Sequence, residues 1–160
     1  MLAEQRLEDM NVVLPGNPHR PSGSESPFQW AAIHGGRVSV SGHEPLVLDG
    51  RPPSRLGRVP TEVSLEHAQS SARLAALDIL ASLKSVLGDL DRVVSWLTVV
   101  SFVNADPDYA SIDLVMSPVS DLILALYGPE VASHERRAVT VSPAPLNLPI
   151  TIVAEVEIRN

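Results

Sequence analysis

Arginine stands at the start of a strand-like segment late in the chain, and its type and position suggest ligand binding. Arg136 and Arg137 precede alternating residues as far as Val141, and the connector SPAPLNLP follows. Its three prolines cannot donate to a sheet, so the connector is predicted to be extended and stiff. A guanidinium held there could capture a carboxylate through two parallel hydrogen bonds. The simpler alternative is an ion pair or a solvated residue at the edge of the sheet.

The spacing of the histidines and serines does not predict a metal site or a serine hydrolase. HxH and HExxH patterns are missing, so no metal site is predicted at the five histidines His19, His34, His43, His67 and His134. Ser39 and Ser41 lack the GxSxG elbow of many serine hydrolases. His134 either lines the same cleft as Arg136 or lies in the preceding loop. The sequence has no glycine-rich phosphate loop, so no cofactor is expected.

The composition is typical of an acidic globular chain. Of its 160 residues, 44% are hydrophobic and 4% aromatic, and the net charge is −7. Nucleic-acid binding needs basic and stacking surfaces, so nucleic acid is not an expected partner. The lack of cysteine excludes disulfides and thiolate chemistry. Neither a signal-peptide pattern nor an apolar run of membrane-span length is recognised, so we expect a cytoplasmic protein without a membrane partner.

Two regions are predicted along the chain. Residues 1–25 are expected to form an N-terminal helix and an irregular arm, and residues 26–160 a single domain. Residues 14–27 of the arm are rich in proline, glycine and serine. The helix has a weak stripe formed by Leu2, Arg6, Leu7 and Met10.

The clearest helix is predicted from the N-cap Ser64 to the stop at Gly88. Asp106-Pro107 predicts the start of a second helix, with a restart at Ser117-Pro118 and an end before Gly128-Pro129. The first helix carries an apolar stripe, formed by Ala68, Ala72, Ala76, Ile79, Leu83 and Leu87.

Strands are predicted before, between and after these helices. Gly35-Gly36 between two short runs predicts a hairpin, and residues 46–48 a further short strand. Arg92–Asn104 is apolar on both sides and predicts a central buried strand, whereas Ile150–Ile158 alternates. This order predicts an α+β two-layer domain with one uncovered sheet face, which we expect self-association to bury.

Four segments together resemble the RidA family, also called YjgF or endoribonuclease L-PSP, and more narrowly its YjgF/chorismate-mutase-like branch. The resemblance implies a chorismate-mutase-like two-layer sandwich with a mixed β-sheet and two main helices on one face. It also implies a homotrimer around a central β-barrel, with clefts between subunits. The segments are VSVSGHEP at 38–45, ARLAALDILASLKSVLGDLDRVV at 72–94, SFVNADPDY at 101–109 with SDLILALYG at 120–128, and RRAVTVSPAPLNLPITIVAEVEI at 136–158.

The resemblance also implies site residues, one by one. Arg136, with Arg137 beside it, takes the place of the carboxylate-binding arginine, and Ser41-Gly42 that of a conserved turn of the family's site. Four other positions depart from the family's pattern: Phe28 replaces a tyrosine, Ser117 an asparagine, Thr151 a water-positioning glutamate and His43 a glutamine.

Two functions stay open because the tyrosine and the glutamate are replaced. In the first, the chain is a cofactor-independent deaminase that hydrolyses imines or enamines. Arg136 would hold the substrate carboxylate, and a water on Thr151 or His43 would attack. In the second, the same scaffold binds a small carboxylate metabolite without turnover. Chorismate mutase is a weaker third option, since only the arginine pair supplies positive charge.

Overall fold

The computed structural model describes residues 2–16, 29–45 and 55–159, and the structural statements below concern these residues. Three α-helices are α1 (Leu2–Asp9), α2 (Leu65–Leu87) and α3 (Ser117–Ala132), with short 3-10 turns at Leu90–Arg92, Ile112–Met116 and Pro145–Asn147. Five strands form one sheet, and these are β1 (Ala31–His34), β2 (Arg37–His43), β3 (Val93–Asn104), β4 (Glu135–Val141) and β5 (Ile150–Ile158). The predicted arm beyond residue 16 and the strand at 46–48 lie outside this part of the chain.

The sheet is mixed, with the strand order β1-β2-β5-β3-β4. Strands β3 and β4 are parallel because α3 carries the chain back between them, and the other pairs are antiparallel. The predicted central strand, β3, is paired on both sides, but β5 occupies the middle of the sheet. Thus β3 is an interior strand that is fully buried on one face only.

Each long strand buries one face against the helices. On β5, the predicted alternation is confirmed: the residues from Ile150 to Ile158 with even numbers are buried, and those between them are partly or well exposed. Val99 and Val103 of β3 are buried on the same side. Helices α2 and α3 pack on this face, which gives two layers.

Helix α2 has the predicted boundaries. The Ser64 hydroxyl oxygen accepts a hydrogen bond from the His67 amide (3.1 Å), and Gly88 ends the helix at φ 76°, where its N–H donates to the Lys84 carbonyl (2.8 Å). A residue with a side chain would be strained at that φ. The whole predicted apolar stripe is buried, which confirms its direction.

Helix α3 begins at the predicted restart, Ser117-Pro118, and the predicted earlier start at Asp106-Pro107 is wrong. The Asp106 amide donates to the Val59 carbonyl (2.8 Å), and its carboxylate approaches the Arg58 Nη1 atom (3.6 Å). These contacts hold Asp106 in a bridge with another segment, so Asp106-Pro107 starts a turn and not a helix. Ser117 is the first helical residue, and the helix continues past a kink at Gly128 (φ 75°) to Ala132.

The stretch Ile112–Ala132 is longer and more apolar than expected. Within the described ranges it has the length and mean hydropathy (1.3) of a possible membrane span, although no such run was predicted. Leu122, Ile123 and Leu126 are buried where α3 packs on α2 and β3, whereas Leu114 and Leu124 are about half exposed. Core helices of globular domains pass the same test of length and composition.

Helix α1 packs on α3 and on the turn Leu90–Arg92. Ala3 and Leu7 are buried, whereas Leu2 and Met10 are 68% and 38% exposed, so the predicted stripe is wrong at both ends. The Asp91 carboxylate accepts the Leu2 and Ala3 amides (2.5 and 2.8 Å), which satisfies N–H groups at the helix start.

One face of the sheet is not covered by helices. We call it the open face, and its apolar residues are Val100, Phe102, Val139 and Val153, which the strand register places on the side opposite the buried Val99. These four residues are partly or well exposed, and Val139 retains 43% of its accessible surface.

Candidate functional site

Arg136 lies near the start of β4, the edge strand that pairs with β3. Its Nε and Nη2 atoms donate to the two carboxylate oxygens of Asp113 (3.1 and 2.5 Å). Its Nη1 atom donates to the Ser120 hydroxyl oxygen (3.2 Å). The Arg136 side chain is 26% exposed and that of Asp113 is 60% exposed. The guanidinium therefore holds a carboxylate of its own chain in its fork, as the ion-pair alternative described.

His134 lies beside this pair. Its Nε2 atom is 3.0 Å from the Ser120 hydroxyl oxygen, and its Nδ1 atom is 2.6 Å from the Ala132 carbonyl oxygen. A cavity of about 390 Å³ is lined by Ser120, His134 and Arg136, together with Leu124, Pro129 and other residues. Both placements left open for His134 hold, because it lies in the loop between α3 and β4 and also lines the cavity with Arg136.

Asp113 and Ser120 were missed by the sequence analysis. Both precede Arg136 by many residues, and neither belongs to a recognisable motif. Spacing in the sequence could not have found them, because their contacts with Arg136 depend on how α3 and the 3-10 turn before it pack on β4. Ser117, a predicted binding residue, lies one helical turn before Ser120 in the same region.

Gly42 and Thr151 lie against each other near the open face. A Cβ atom at Gly42 would be 3.1 Å from the Thr151 methyl carbon and 3.9 Å from a methyl carbon of Val153. The Thr151 hydroxyl oxygen is buried and has no hydrogen-bond partner among the described residues. The Ser41 hydroxyl donates to the Gln29 carbonyl (2.5 Å), so it stabilises the start of the hairpin.

Arg136 and Thr151 do not meet within one chain. Val99 pairs with both Arg136 and Ala154, which places Arg136 on the helix side of the sheet. Thr151 pairs with Phe102 and lies on the opposite side. Arg137 pairs with Val100 and is exposed on that opposite side as well. The predicted residues thus form two half-sites, one on each face.

His43 is in the wrong place for the predicted role of a base. It is 1% exposed, and its Nδ1 and Nε2 atoms contact the Ser41 carbonyl oxygen (2.6 Å) and the Ser82 hydroxyl oxygen (2.7 Å). Burial lowers the pKa of His43, so the imidazole stays neutral. His43 therefore connects β2 to α2 and does not face a substrate. Phe28, the remaining predicted residue, lies outside the described residues.

One group of carboxylates in the described chain has ligand atoms close enough to share an ion. These atoms, from Glu4, Asp89 and Asp91, lie within 4.8 Å of one another. Glu4 accepts hydrogen bonds from Lys84 and from the Leu90 amide, and Asp91 accepts those of the α1 start. Hydrogen bonds that attach α1 account for this cluster.

Comparison with known proteins begins with two relatives of substantial identity. No protein-family model matches the chain. The curated Trypanosoma cruzi protein TCP17 is 35% identical over 104 residues, and the chain spans about 65% of its length. The crystal structure of Atu1372, a protein with unknown function from Agrobacterium tumefaciens, is 30% identical, with a TM-score of 0.86 over 99% of this chain and 93% of that one.

More distant solved structures share the fold. A Shewanella oneidensis protein proposed to be an endoribonuclease has 23% identity and a TM-score of 0.87, over 99% of this chain and all of that one. RidA from Psychrobacter has 16% identity and a TM-score of 0.57, over 91% and 98%. Escherichia coli TdcF with bound serine has 17% identity and a TM-score of 0.59, over 92% and 94%.

The fold is the one that the sequence resemblance implies. The four resembling segments occur in the expected order on the mixed five-stranded sheet and helices of the RidA fold. The chain has the fold of the RidA/YjgF proteins, and its four segments resemble that family in sequence.

Proposed function

We propose that the chain is a RidA-like protein that processes a small carboxylate-bearing metabolite without a cofactor. The observation that carries this proposal is the bidentate contact between Arg136 and Asp113, because it presents a carboxylate in the geometry that a bound acid would adopt. Asp113 is well exposed and can be displaced without opening the core. TdcF, which shares the fold, holds serine, a small carboxylate-bearing molecule.

The proposal includes a homotrimer with a central β-barrel formed by the open faces. Val100, Phe102, Val139 and Val153 give each chain an apolar surface that association would bury. The two half-sites lie on opposite faces of one sheet, so a complete site needs Arg136 from one copy and the Gly42–Thr151 side from another. The substrate cleft would then lie between subunits.

In the deaminase version, Arg136 holds the carboxylate of an imine or enamine. The Thr151 hydroxyl, unpartnered among the described side chains, positions the attacking water. Thr151 is not a base at neutral pH, and His43 is buried. These two facts are the reason for a second candidate, a binding protein for the same class of metabolite without turnover.

Calorimetric titration with keto acids and amino acids tests the ligand class. The wild-type chain should bind at least one of these acids, and Arg136→Gln should weaken that binding roughly tenfold or more, because a charge-assisted bidentate contact is lost. Arg58→Gln is the matched control, since Arg58 is also paired with carboxylates but lies at another site. Equal affinity for wild type and Arg136→Gln would refute the proposal.

Ammonia release from amino-acid-derived imines separates the two candidates. A deaminase should release ammonia faster than the uncatalysed reaction and lose this activity in Arg136→Gln. Binding without ammonia release would support the second candidate.

A further inference from the structure

Ser120 and His134 are hydrogen-bonded to each other, and the proposed binding of a carboxylate gives neither of them a role. We propose that Ser120 is a nucleophile activated by His134, and that the pair hydrolyses small uncharged carboxylic esters in the adjoining cavity. The pair and its cavity belong to a single chain, so this activity does not require Arg136 to bind an acid from solution.

The proton positions follow from the partners of the imidazole. The Ala132 carbonyl oxygen can only accept, so Nδ1 of His134 carries a proton and donates it there (2.6 Å). In the neutral ring Nε2 then has a free lone pair, and the Ser120 hydroxyl donates to it (3.0 Å). A base within hydrogen-bond reach of a hydroxyl and oriented by a third group is the arrangement of an activated serine.

Arg136 supplies positive charge to the same oxygen. Its Nη1 atom donates to the Ser120 hydroxyl oxygen (3.2 Å), while Asp113 holds the other side of the guanidinium. This contact favours the alkoxide form of Ser120. Once the oxygen attacks, Nη1 is the nearest charged donor for the negative charge that develops on the substrate.

The kink in α3 fixes the third group. Gly128 (φ 75°) and Pro129 turn the end of the helix, and Ala132 is its last residue. Carbonyl groups in the last turn of a helix have no partner within it, so the Ala132 carbonyl is available to His134. Ser120 is in the first turn of the same helix, and the helix therefore carries both the nucleophile and the group that orients its base.

The cavity defines the substrate class. It measures about 390 Å³, and Leu124, Pro129 and Ala132 line it together with the polar residues. Asp113 compensates the charge of Arg136 nearby. A small ester with an apolar acyl group suits these surroundings, because it brings no charge that would have to be desolvated.

The reaction balances with water as the only co-reactant. The Ser120 oxygen forms a bond to the ester carbonyl carbon while its proton passes to Nε2 of His134. The carbon–alkoxy bond breaks, and the leaving alcohol takes that proton. Water then attacks the acyl-serine and gives a proton to Nε2. The carboxylic acid leaves, and the proton returns to Ser120.

The first test uses the lack of cysteine in the chain. Ser120→Cys introduces a unique thiol, and His134 should increase its thiolate fraction. We expect iodoacetamide at pH 7 to alkylate it on the order of tenfold faster than the thiol of Ser133→Cys, which lines the same cavity. Adding His134→Gln to Ser120→Cys should abolish the difference. Equal rates for the two thiols, with the folded state checked by circular dichroism, would overturn the proposal.

The second test uses the native serine. A fluorophosphonate should label the wild-type chain at Ser120, as located by mass spectrometry, and p-nitrophenyl acetate should be hydrolysed. Ser120→Ala and His134→Gln should lose both reactions, whereas Ser133→Ala should retain them. Hydrolysis that is unchanged in Ser120→Ala, or labelling at any other residue, contradicts the assignment.

Discussion

Asp113 competes with any acid that approaches Arg136 from solution. It fills the guanidinium fork, and its side chain is 60% exposed. Exposed ion pairs contribute about 1 kcal/mol or less, so displacement of Asp113 costs a ligand a few-fold in affinity and does not prevent binding.

We therefore expect Asp113→Asn to raise carboxylate affinity roughly fivefold, the factor that corresponds to about 1 kcal/mol. Calorimetric titration with the acid that binds the wild-type chain measures this change. Asp121→Asn, at an exposed position on α3, should leave the affinity unchanged. An affinity that falls in Asp113→Asn would show that Asp113 belongs to the binding site and does not compete with the ligand.

His43 makes the stability of the fold depend on pH. Burial places its folded-state pKa below the ordinary value of 6.5. Above pH 6.5 neither state is protonated at this residue. Below it, the unfolded chain takes up a proton that the folded chain refuses, so the contribution of His43 to stability is lost as the pH falls.

Urea unfolding at pH 7.5 and 5.5 tests this residue. The wild-type free energy of unfolding should fall with acidification, and His43 can contribute at most about 1.4 kcal/mol per pH unit. In His43→Gln the pH dependence should be smaller, although the variant is less stable at pH 7.5 because its contacts to Ser41 and Ser82 change. If the free energies of unfolding of the wild type and the variant differ by the same amount at both pH values, the buried imidazole of His43 is not held neutral.

At the scale of elements, α1 depends on a few polar contacts as well as on Ala3 and Leu7. The Glu4 Oε1 atom accepts hydrogen bonds from Lys84 Nζ (2.5 Å) and from the Leu90 amide (3.1 Å). Burial alone would raise the pKa of Glu4, but these donors outweigh it and hold the pKa below its ordinary value. The carboxylate thus ties α1 to the end of α2 and to the start of β3.

Glu4→Gln should lower the free energy of unfolding by about 1 kcal/mol, because the amide keeps the shape but loses the charge-assisted contact. Amides of α1 should also exchange faster in hydrogen-exchange measurements. Glu8→Gln changes an exposed residue of the same helix and should leave both quantities unchanged. Equal rates of amide hydrogen exchange in α1 of the two variants would show that the contact between Glu4 and Lys84 does not hold the helix in place.

Sequence patterns predicted those helices and strands whose boundaries are set by interactions between residues close in sequence. Ser64 and Gly88 define α2, and alternation defines β5, because caps and pleats involve neighbouring residues only. Asp106-Pro107 has the same local signature as a helix start, yet the bridge from Val59 to Ala105 holds this segment in another conformation. A contact that is remote in sequence overrides the local preference there.

The candidate site was likewise predictable only where residues close in sequence determine it. Arg136 follows from its place before a strand and a proline-rich connector, and its carboxylate partner from the chemistry of guanidinium groups. That Asp113 is this partner, that Ser120 lies between Arg136 and His134, and that Thr151 faces away all depend on how α3 and the strands pack. Spacing along the chain does not encode these relations.

At the scale of the whole molecule, the open face should control assembly. Phe102→Glu places a charge among Val100, Val139 and Val153, and burying that charge would be costly. Light scattering after gel filtration should give about three times the 17.2 kDa chain mass for the wild type and a single chain for the variant. The control, Val86→Glu, changes an exposed apolar residue of α2 and should remain trimeric. A wild-type protein that elutes as a monomer would contradict the trimer.

The alternation of side chains at the start of β4 determines how the protein responds to insertions and deletions there. His134 and Arg136, two residues apart, both contact Ser120, while Arg137 faces the other way. Insertion or deletion of a single residue between His134 and Arg136 would send one of them to the wrong side of the sheet. Glu135, which is exposed, should therefore accept many side-chain exchanges, whereas a scan of one-residue indels should find that none is tolerated between His134 and Arg136.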